Sequence, residues 1–138
     1  MAIMLAGSLT ELARLTAATA GFCREHALPP DVESDLNLVL EELFVNTLEH
    51  GGCEGIPEAV QVALTAGPDA VALEYADRGV PFDPTHVPSA DLAASLAERA
   101  EGGLGLHLVR QIMRDFEYHR VDGWNRLRMR RLLPVEAS

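Results

Sequence analysis

The sequence contains no lysine, so all 11 of its basic residues are arginine. A Walker A loop needs the lysine of GxxxxGK[ST] to reach the nucleotide phosphates, and that class of site is therefore excluded. The 21 acidic residues give a net charge of −10. This charge argues against a protein that binds duplex DNA or RNA, because such binding depends on basic contacts to phosphates.

Cysteines and long apolar runs are also scarce. Cys23 and Cys53 stand alone without a CxxC pair, so the sequence predicts two buried thiols rather than a disulfide framework. No stretch approaches the roughly 18–20 apolar residues that a membrane span needs. The first residues, MAIMLAGSLTELARL, lack the basic region of a signal peptide. We therefore expect a cytoplasmic protein that contacts neither membrane nor nucleic acid.

The residues that are present predict one globular domain over 1–138, since 48% of them are hydrophobic. A short strand is expected at residues 3–5. Ser8 and Glu11 form a capping box at the start of a first helix. Pro29-Pro30 ends that helix and starts a second, which Gly51-Gly52 ends. The apolar stripe predicted for the first helix consists of Leu9, Leu12, Leu15, Thr19 and Phe22, and that of the second consists of Val32, Leu36, Val39, Leu40 and Leu43.

The rest of the chain is dominated by hairpin patterns. Alternating apolar residues on both sides of the turn at 66–69 predict a first β-hairpin. A short helix is expected over 91–99, and a further helix runs from Gly102-Gly103 through Asp115. Asp122-Gly123 is the turn of a second hairpin. This order of elements predicts an α/β (α+β) two-layer sandwich, in which helices cover one face of a mixed, mostly antiparallel sheet.

Three segments place polar or glycine residues where a core pattern would not. Glu42 and Asn46 share one helix face, where a carboxylate could accept a proton and an amide oxygen could bind Mg²⁺. Asp77 lies on the inward face of its strand, where it would need a ligand donor such as an exocyclic amine, and Gly79 permits close approach of a flat ligand. EGGLGL, residues 101–106, opens a helix with amides suited to phosphates.

Each segment also has a purely structural interpretation. These alternatives are a solvated helix glutamate, a strand-end aspartate that caps a loop, and a flexible glycine segment that happens to begin a helix.

In this order, the three segments resemble the three-box pattern of the histidine-kinase-type ATPase domain, also called the Bergerat ATP-binding fold. More narrowly, the chain is similar to the stand-alone anti-sigma-factor serine kinases of bacteria. The resemblance covers roughly residues 5–133 and is carried by EELFVNTLEHGG, ADRGVPFDP, GGLGLHLVRQIMRDFEYHR and DGWNRLRM.

The resemblance implies a role for each motif residue. Glu42 would be the general base acting on a serine or threonine hydroxyl of a partner protein. Asn46 would coordinate the Mg²⁺ that bridges the phosphates, Asp77 would accept from the adenine amino group, and Gly79 would let the base pack. His50 is expected to form a hydrogen bond near the helix end. The other implied ATP-binding residues belong to a lid over approximately 84–101 and to the glycine segment; they are Arg99, Gly102, Gly103, Leu104, Gly105 and Leu106.

The implied function is an ATP- and Mg²⁺-dependent protein serine/threonine kinase in a partner-switching circuit. It would phosphorylate a small antagonist protein, sequester a sigma factor or similar target, and form a homodimer. One alternative is a non-catalytic nucleotide-binding module that acts by sequestration alone. Another is the detached catalytic half of a sensor histidine kinase, which would need a histidine-bearing dimerisation helix. His26 lies at the end of the first predicted helix, in CREHALPP, with no paired long helix.

The last hairpin departs from the family pattern. Some members carry threonines there near the nucleotide, whereas this chain has GWNRLRM, which puts that contact in doubt. Arg126, Arg128 and Arg130 alternate with apolar residues and predict a basic stripe on one strand face. The stripe suits either a solvated surface that discourages edge pairing or a partner-docking surface.

Overall fold

The computed structural model describes residues 1–81 and 104–134, the side chains of 104–107 excepted. The described part has a 3₁₀ turn at Leu9–Glu11 and three helices, which are α1 (Leu12–Glu25), α2 (Pro30–His50) and α3 (Leu104–Ile112). It has five strands, which are β1 (Ala2–Leu5), β2 (Val60–Ala66), β3 (Ala70–Asp77), β4 (Arg114–Val121) and β5 (Trp124–Leu132). The predicted lid and the predicted helix over 91–99 lie outside the described residues.

The five strands form one sheet in the order β1-β2-β3-β5-β4, and every neighbouring pair is antiparallel. Alternate residues of β2 and β3 point into the core that the sheet shares with the helices. The inward residues are Val60, Val62, Leu64, Val71, Leu73 and Tyr75. The predicted two-layer sandwich is therefore confirmed, with β3 at the centre of the sheet.

Helix α2 is the central element of the helical layer. It begins at Pro30, whose fixed φ and missing amide hydrogen suit the first helical position, and Asp31 and Glu33 lie in its first turn, near the positive helix end. All five residues predicted for its core stripe are at most 6% exposed. Burial of each leucine or valine side chain of this kind contributes about 1.5–3 kcal/mol to stability.

The start of α1 differs from the sequence prediction. Ser8 Oγ accepts a hydrogen bond from the Thr10 amide at 3.3 Å, but Glu11 Oε1 accepts from the Ala6 amide at 3.0 Å instead of closing the box on Ser8. A 3₁₀ turn precedes the helix and changes its phase, so Leu9 is 60% exposed and does not belong to the apolar stripe.

The end of α3 also differs from prediction. The sequence places the helix through Asp115, whereas α3 ends at Ile112 and β4 begins at Arg114. Asp115 has a φ of 57°, a left-handed conformation that a right-handed helix cannot include. The β4–β5 register shifts at the same place, between Arg114 and Glu117. In contrast, both residues of the Asp122-Gly123 turn have positive φ, which fits the predicted two-residue hairpin turn.

The basic stripe lies on the outer face of β5, away from the helices. Arg128 Nε lies 3.1 Å from Glu74 Oε1, and Arg130 Nη1 lies 2.8 Å from Asp115 Oδ2. Because β5 is flanked by β3 and β4, protection of a sheet edge does not explain the stripe. Exposed cross-strand ion pairs contribute at most about 1 kcal/mol each to stability. Because Arg128 and Arg130 pair with carboxylates of the neighbouring strands, their contacts favour a solvated surface.

Two other expectations can be compared with the described residues. Cys23 and Cys53 are both free and buried, as predicted. No helix in the described ranges has the length and apolar character required to cross a bilayer.

Candidate functional site

The last turns of α2 are joined to the end of β3. Thr47 Oγ1 lies 2.9 Å from Asp77 Oδ2, to which it donates a hydrogen bond. Three residues beyond β3, the Val80 amide donates to the Gly51 carbonyl oxygen at 3.1 Å. The fold therefore brings together the helix that carries Glu42 and Asn46 and the D-x-G segment.

Tyr75 supports this junction from inside the core. Its hydroxyl donates to the Leu43 carbonyl oxygen at 3.1 Å and lies 2.7 Å from Thr47 Oγ1. Burial raises the pKa of Tyr75 well above its ordinary value, so the hydroxyl keeps its proton. The Thr47 hydroxyl has a single proton, and the Asp77 carboxylate is the strongest acceptor within its reach.

The acceptor positions of Asp77 are mostly occupied. Oδ1 accepts from the Gly79 amide and from Asn125 Nδ2, both at 2.9 Å, while Oδ2 accepts from Thr47. A carboxylate has about four acceptor positions, two on each oxygen. The second position on Oδ2 has no donor among the described residues, and it could accept from a ligand.

Gly79 is required by its close contact with the end of α2. A Cβ atom at this residue would lie 2.9 Å from the Gly51 carbonyl oxygen and 3.0 Å from Asp77 Oδ1. Any side chain would therefore push the D-x-G segment away from the helix. The role that the sequence predicts for Gly79, which is to let a flat base pack, stays a prediction.

Glu42 and Asn46 lie one helical turn apart, and both are half-buried. Burial, and then the neighbouring charges of Glu41 and Glu49, raise the pKa of Glu42 above its ordinary value. Asn46 Oδ1 is buried without a hydrogen-bond partner among the described residues. A buried acceptor without a hydrogen-bond donor lowers the stability of the folded state by about 1–3 kcal/mol. A neutral amide oxygen that lacks a donor fits the ligand preference of a hard cation such as Mg²⁺.

His50 follows Asn46 by one more turn of α2. Its Nε2 is also buried and makes no hydrogen bond within the described part of the chain, although it lies 3.8 Å from Glu49 Oε2. The hydrogen bond expected for His50 near the helix end is therefore not made through Nε2 in that part.

The glycine segment is only partly described. Leu104, Gly105 and Leu106 belong to the first turn of α3, which packs against α2. The remaining residues of this prediction, Arg99, Gly102 and Gly103, lie outside the described residues. The proposed phosphate contacts of this segment stay predictions.

Sequence reasoning missed two side chains of the site. Three polar residues are buried within the described ranges, and two of them, Thr47 and Asn125, hydrogen-bond to Asp77. Asn125 could have been found, because alternation from the Asp122-Gly123 turn places it on the inward face of β5. Thr47 gives no such signal, since its side chain could equally bond within its own helix.

Comparisons with known proteins identify the family of this chain. The family model described as the histidine kinase-like ATPase domain matches residues 5–131. The serine/threonine-protein kinase BtrW of Bordetella bronchiseptica is 39% identical over 92 residues, which are 67% of this chain and 65% of BtrW.

Two solved structures share the fold at low sequence identity. The RsbU and RsbW domains of Rv1364c from Mycobacterium tuberculosis match with a TM-score of 0.68 and 17% identity, over 98% of this chain and 33% of that chain. The SiaB–SiaC complex from Pseudomonas aeruginosa matches with a TM-score of 0.59 and 13% identity, over 96% of this chain and 89% of that chain.

The sequence motifs, the fold and the comparisons lead to one family. The match over residues 5–131 includes α2 with Glu42 and Asn46, the Asp77 segment and α3. The family predicted from the three motifs is thereby confirmed: this chain belongs to the histidine kinase-like ATPase domain family.

Proposed function

We propose that this protein is an ATP-dependent protein serine/threonine kinase that regulates a partner protein. The observation that carries the proposal is the pair on α2. Glu42 has a raised pKa, and one turn away Asn46 has a buried oxygen without a donor among the described residues. A base next to a cation ligand is the minimal arrangement for phosphoryl transfer.

Asp77 is the proposed contact to the base of the nucleotide. The free acceptor position on its Oδ2 suits the exocyclic amino group of adenine. Guanine and hypoxanthine carry a carbonyl oxygen at the corresponding position, which would face the carboxylate with no hydrogen between them. The site should therefore prefer ATP to GTP or ITP.

Asn46 is the proposed ligand of Mg²⁺. Mg²⁺ held by Asn46 would neutralise part of the charge of the phosphates, a task that this chain cannot assign to a lysine. The backbone amides at the start of α3 would contribute further positive potential to the phosphates.

Glu42 is the proposed general base. It would take the proton of a serine or threonine hydroxyl on the partner, whose oxygen forms a bond to the γ-phosphorus. The bond between that phosphorus and the β,γ-bridging oxygen breaks, and ADP leaves with the electron pair. A raised pKa suits Glu42 to this step, because it makes the carboxylate a stronger base than an exposed glutamate.

The acceptor is proposed to be a small antagonist protein. BtrW is named as a serine/threonine-protein kinase, and SiaB was solved in complex with SiaC, which supports a protein rather than a small molecule as the partner. The sequestered sigma factor and the homodimer stay predictions from the family resemblance.

The test is phosphorylation in an extract of the organism that encodes the protein, with Mg²⁺ and γ-labelled ATP. Three purified proteins are compared: the wild type, Glu42→Gln and Glu41→Gln. Glu41 is the exposed neighbour of Glu42 on the same helix, so its substitution controls for the loss of one charge. ATP binding by each protein is measured in parallel.

The kinase proposal predicts that the wild type and Glu41→Gln label one small protein, whereas Glu42→Gln binds ATP but labels none. Equal labelling by Glu42→Gln would remove Glu42 from the role of base. If all three bind ATP and none labels a protein, the non-catalytic sequestering module is the better description.

A further inference from the structure

Asn125 is buried between the start of β5 and the segment that follows β3. Its side chain is 6% exposed. The amide nitrogen Nδ2 lies 2.9 Å from Asp77 Oδ1, 2.9 Å from the Val80 carbonyl oxygen and 3.3 Å from the Gly79 carbonyl oxygen. One amide group thus holds both the carboxylate and the backbone of the D-x-G segment.

The orientation of this amide is fixed by what surrounds it. Asn125 Oδ1 accepts hydrogen bonds from the Tyr118 hydroxyl at 2.6 Å and from Arg120 Nη1 at 3.1 Å. On the opposite side, the described partners of Nδ2 are all acceptors. A flipped amide would set its oxygen against a carboxylate and two carbonyl groups, so only one orientation satisfies every partner.

A second contact from β4 reinforces the first. Arg120 Nη1 also donates to the Gly79 carbonyl oxygen at 2.7 Å. The hairpin formed by β4 and β5 therefore holds the segment from two positions, one inside the core and one near the surface.

We propose that Asn125 is a positioning residue that sets the base preference of the nucleotide site. This inference rests on the proposed function. Asn125 and the Gly79 amide together fill both acceptor positions of Asp77 Oδ1, which fixes the plane of the carboxylate and leaves only Oδ2 for the ligand. Without Asn125 the carboxylate keeps only the Gly79 amide and the Thr47 hydroxyl as described donors, so its plane is less firmly fixed and an adenine amino group meets a less well oriented acceptor.

The prediction separates base recognition from phosphate binding. Removal of the Asn125 amide should weaken the binding of ATP, whose amino group needs the oriented carboxylate. It should change the binding of ITP little, because ITP has a carbonyl oxygen there and gains nothing from Asp77. A residue with a merely structural role would affect both nucleotides equally.

The experiment is calorimetric titration of the full chain with ATP and with ITP in the presence of Mg²⁺. Asn125→Leu removes the amide at nearly constant volume. Asn37→Leu is the matched control, since Asn37 is a half-buried asparagine of α2 that lies about 13 Å along the helix from Asn46. We expect Asn125→Leu to lose about tenfold in ATP affinity and less than about twofold in ITP affinity. Asn37→Leu should match the wild type with both nucleotides.

A second variant protects the test against a failure of Asn125→Leu to fold. Tyr118→Phe removes one hydroxyl from the half-buried Tyr118 and loosens the Asn125 amide without touching Asp77. It should lower the ratio of ATP to ITP affinity by about threefold.

Two results would overturn the proposal. The first is a parallel loss of ATP and ITP affinity in Asn125→Leu, or an unchanged affinity ratio in both variants. The second is equal binding of the two nucleotides by the wild type, which would mean that Asp77 does not read the base. A wild type that binds neither nucleotide would instead refute the proposed function itself.

Discussion

Replacement of Gly79 by alanine should destabilise the protein, because backbone atoms surround the place that the new methyl group would take. The added Cβ would lie 2.9 Å from the Gly51 carbonyl oxygen and 3.2 Å from the Gly51 Cα. These atoms belong to the end of α2 and cannot move without disturbing the hydrogen bond from the Val80 amide. The D-x-G segment must therefore shift away from the helix.

The expected loss in the free energy of unfolding is about 1–3 kcal/mol, the usual cost of an extra methyl group at a closely packed site. For a chain of 138 residues, this loss lowers Tm by about 3–15 °C. The shift also moves Asp77, so the affinity for ATP should fall as well.

Gly21→Ala is the matched control. Gly21 lies inside α1, and apart from its chain neighbours and the adjacent turns of helix backbone, no described atom lies within 4 Å of the position of its added Cβ. Alanine is a better helix former than glycine, so the free energy of unfolding of this variant should rise by about 0.5–1 kcal/mol. Thermal unfolding can be followed by the fluorescence of Trp124, the single tryptophan, whose ring lies 4.2 Å from the Arg78 guanidinium. If Gly79→Ala melts at or above the wild-type temperature while Gly21→Ala gains stability, the described packing of the segment is wrong.

Three further predictions, which use four substitutions, test other parts of the structure. Glu42→Gln should be more stable than the wild type at neutral pH, because a raised pKa means that ionisation of Glu42 costs the folded state. Denaturant titrations should show this gain begin to shrink as the pH falls through the raised pKa and vanish below the ordinary pKa of an unfolded glutamate. Asn46→Leu should keep the free energy of unfolding within about 1 kcal/mol of the wild-type value. The same variant should lose the Mg²⁺ dependence of ATP binding. An unchanged Mg²⁺ dependence would argue against Asn46 as the ligand. Arg131→Ala should lower the free energy of unfolding by about 1–2 kcal/mol, because two nitrogens of this 16% exposed side chain lie 2.8 and 2.9 Å from Asp35 Oδ2. In the same denaturant assay, substitution of the exposed Arg128 by alanine should lower it by less than about 0.5 kcal/mol. Equal losses in the two variants would contradict this ranking.

The parts of the fold with regular periodicity could be predicted from sequence. The apolar spacing of α2, its proline start and its glycine end give the element within a residue, and the alternation of β2 and β3 gives the first hairpin. The ends of the other helices could not be predicted in this way. Leu9 fits a helical stripe but lies in a 3₁₀ turn, and Asp115 follows an apolar pattern while its backbone is left-handed.

Spacing made Glu42, Asn46 and Asp77 candidates, because each pattern lies within one element, and the family resemblance then implied their roles. The contacts between elements could not be found in that way. Thr47, Asp77 and Asn125 meet only because β3 pairs with β5 at the register that sets Asp77 opposite Asn125. The residue pattern within any one segment does not predict that register.

The junction of α2, β3 and β5 has a consequence for the order of folding. The hydrogen bonds that Asp77 accepts from Thr47 and Asn125 span 30 and 48 positions of the chain. Contacts with such separation close large loops, and they form late compared with a single helix or hairpin. The site should therefore be absent from any partly folded species that lacks the β3–β5 pairing. A ligand that binds there stabilises the complete fold relative to every intermediate that lacks the β3–β5 pairing. It therefore slows global unfolding more than it slows local opening of α1.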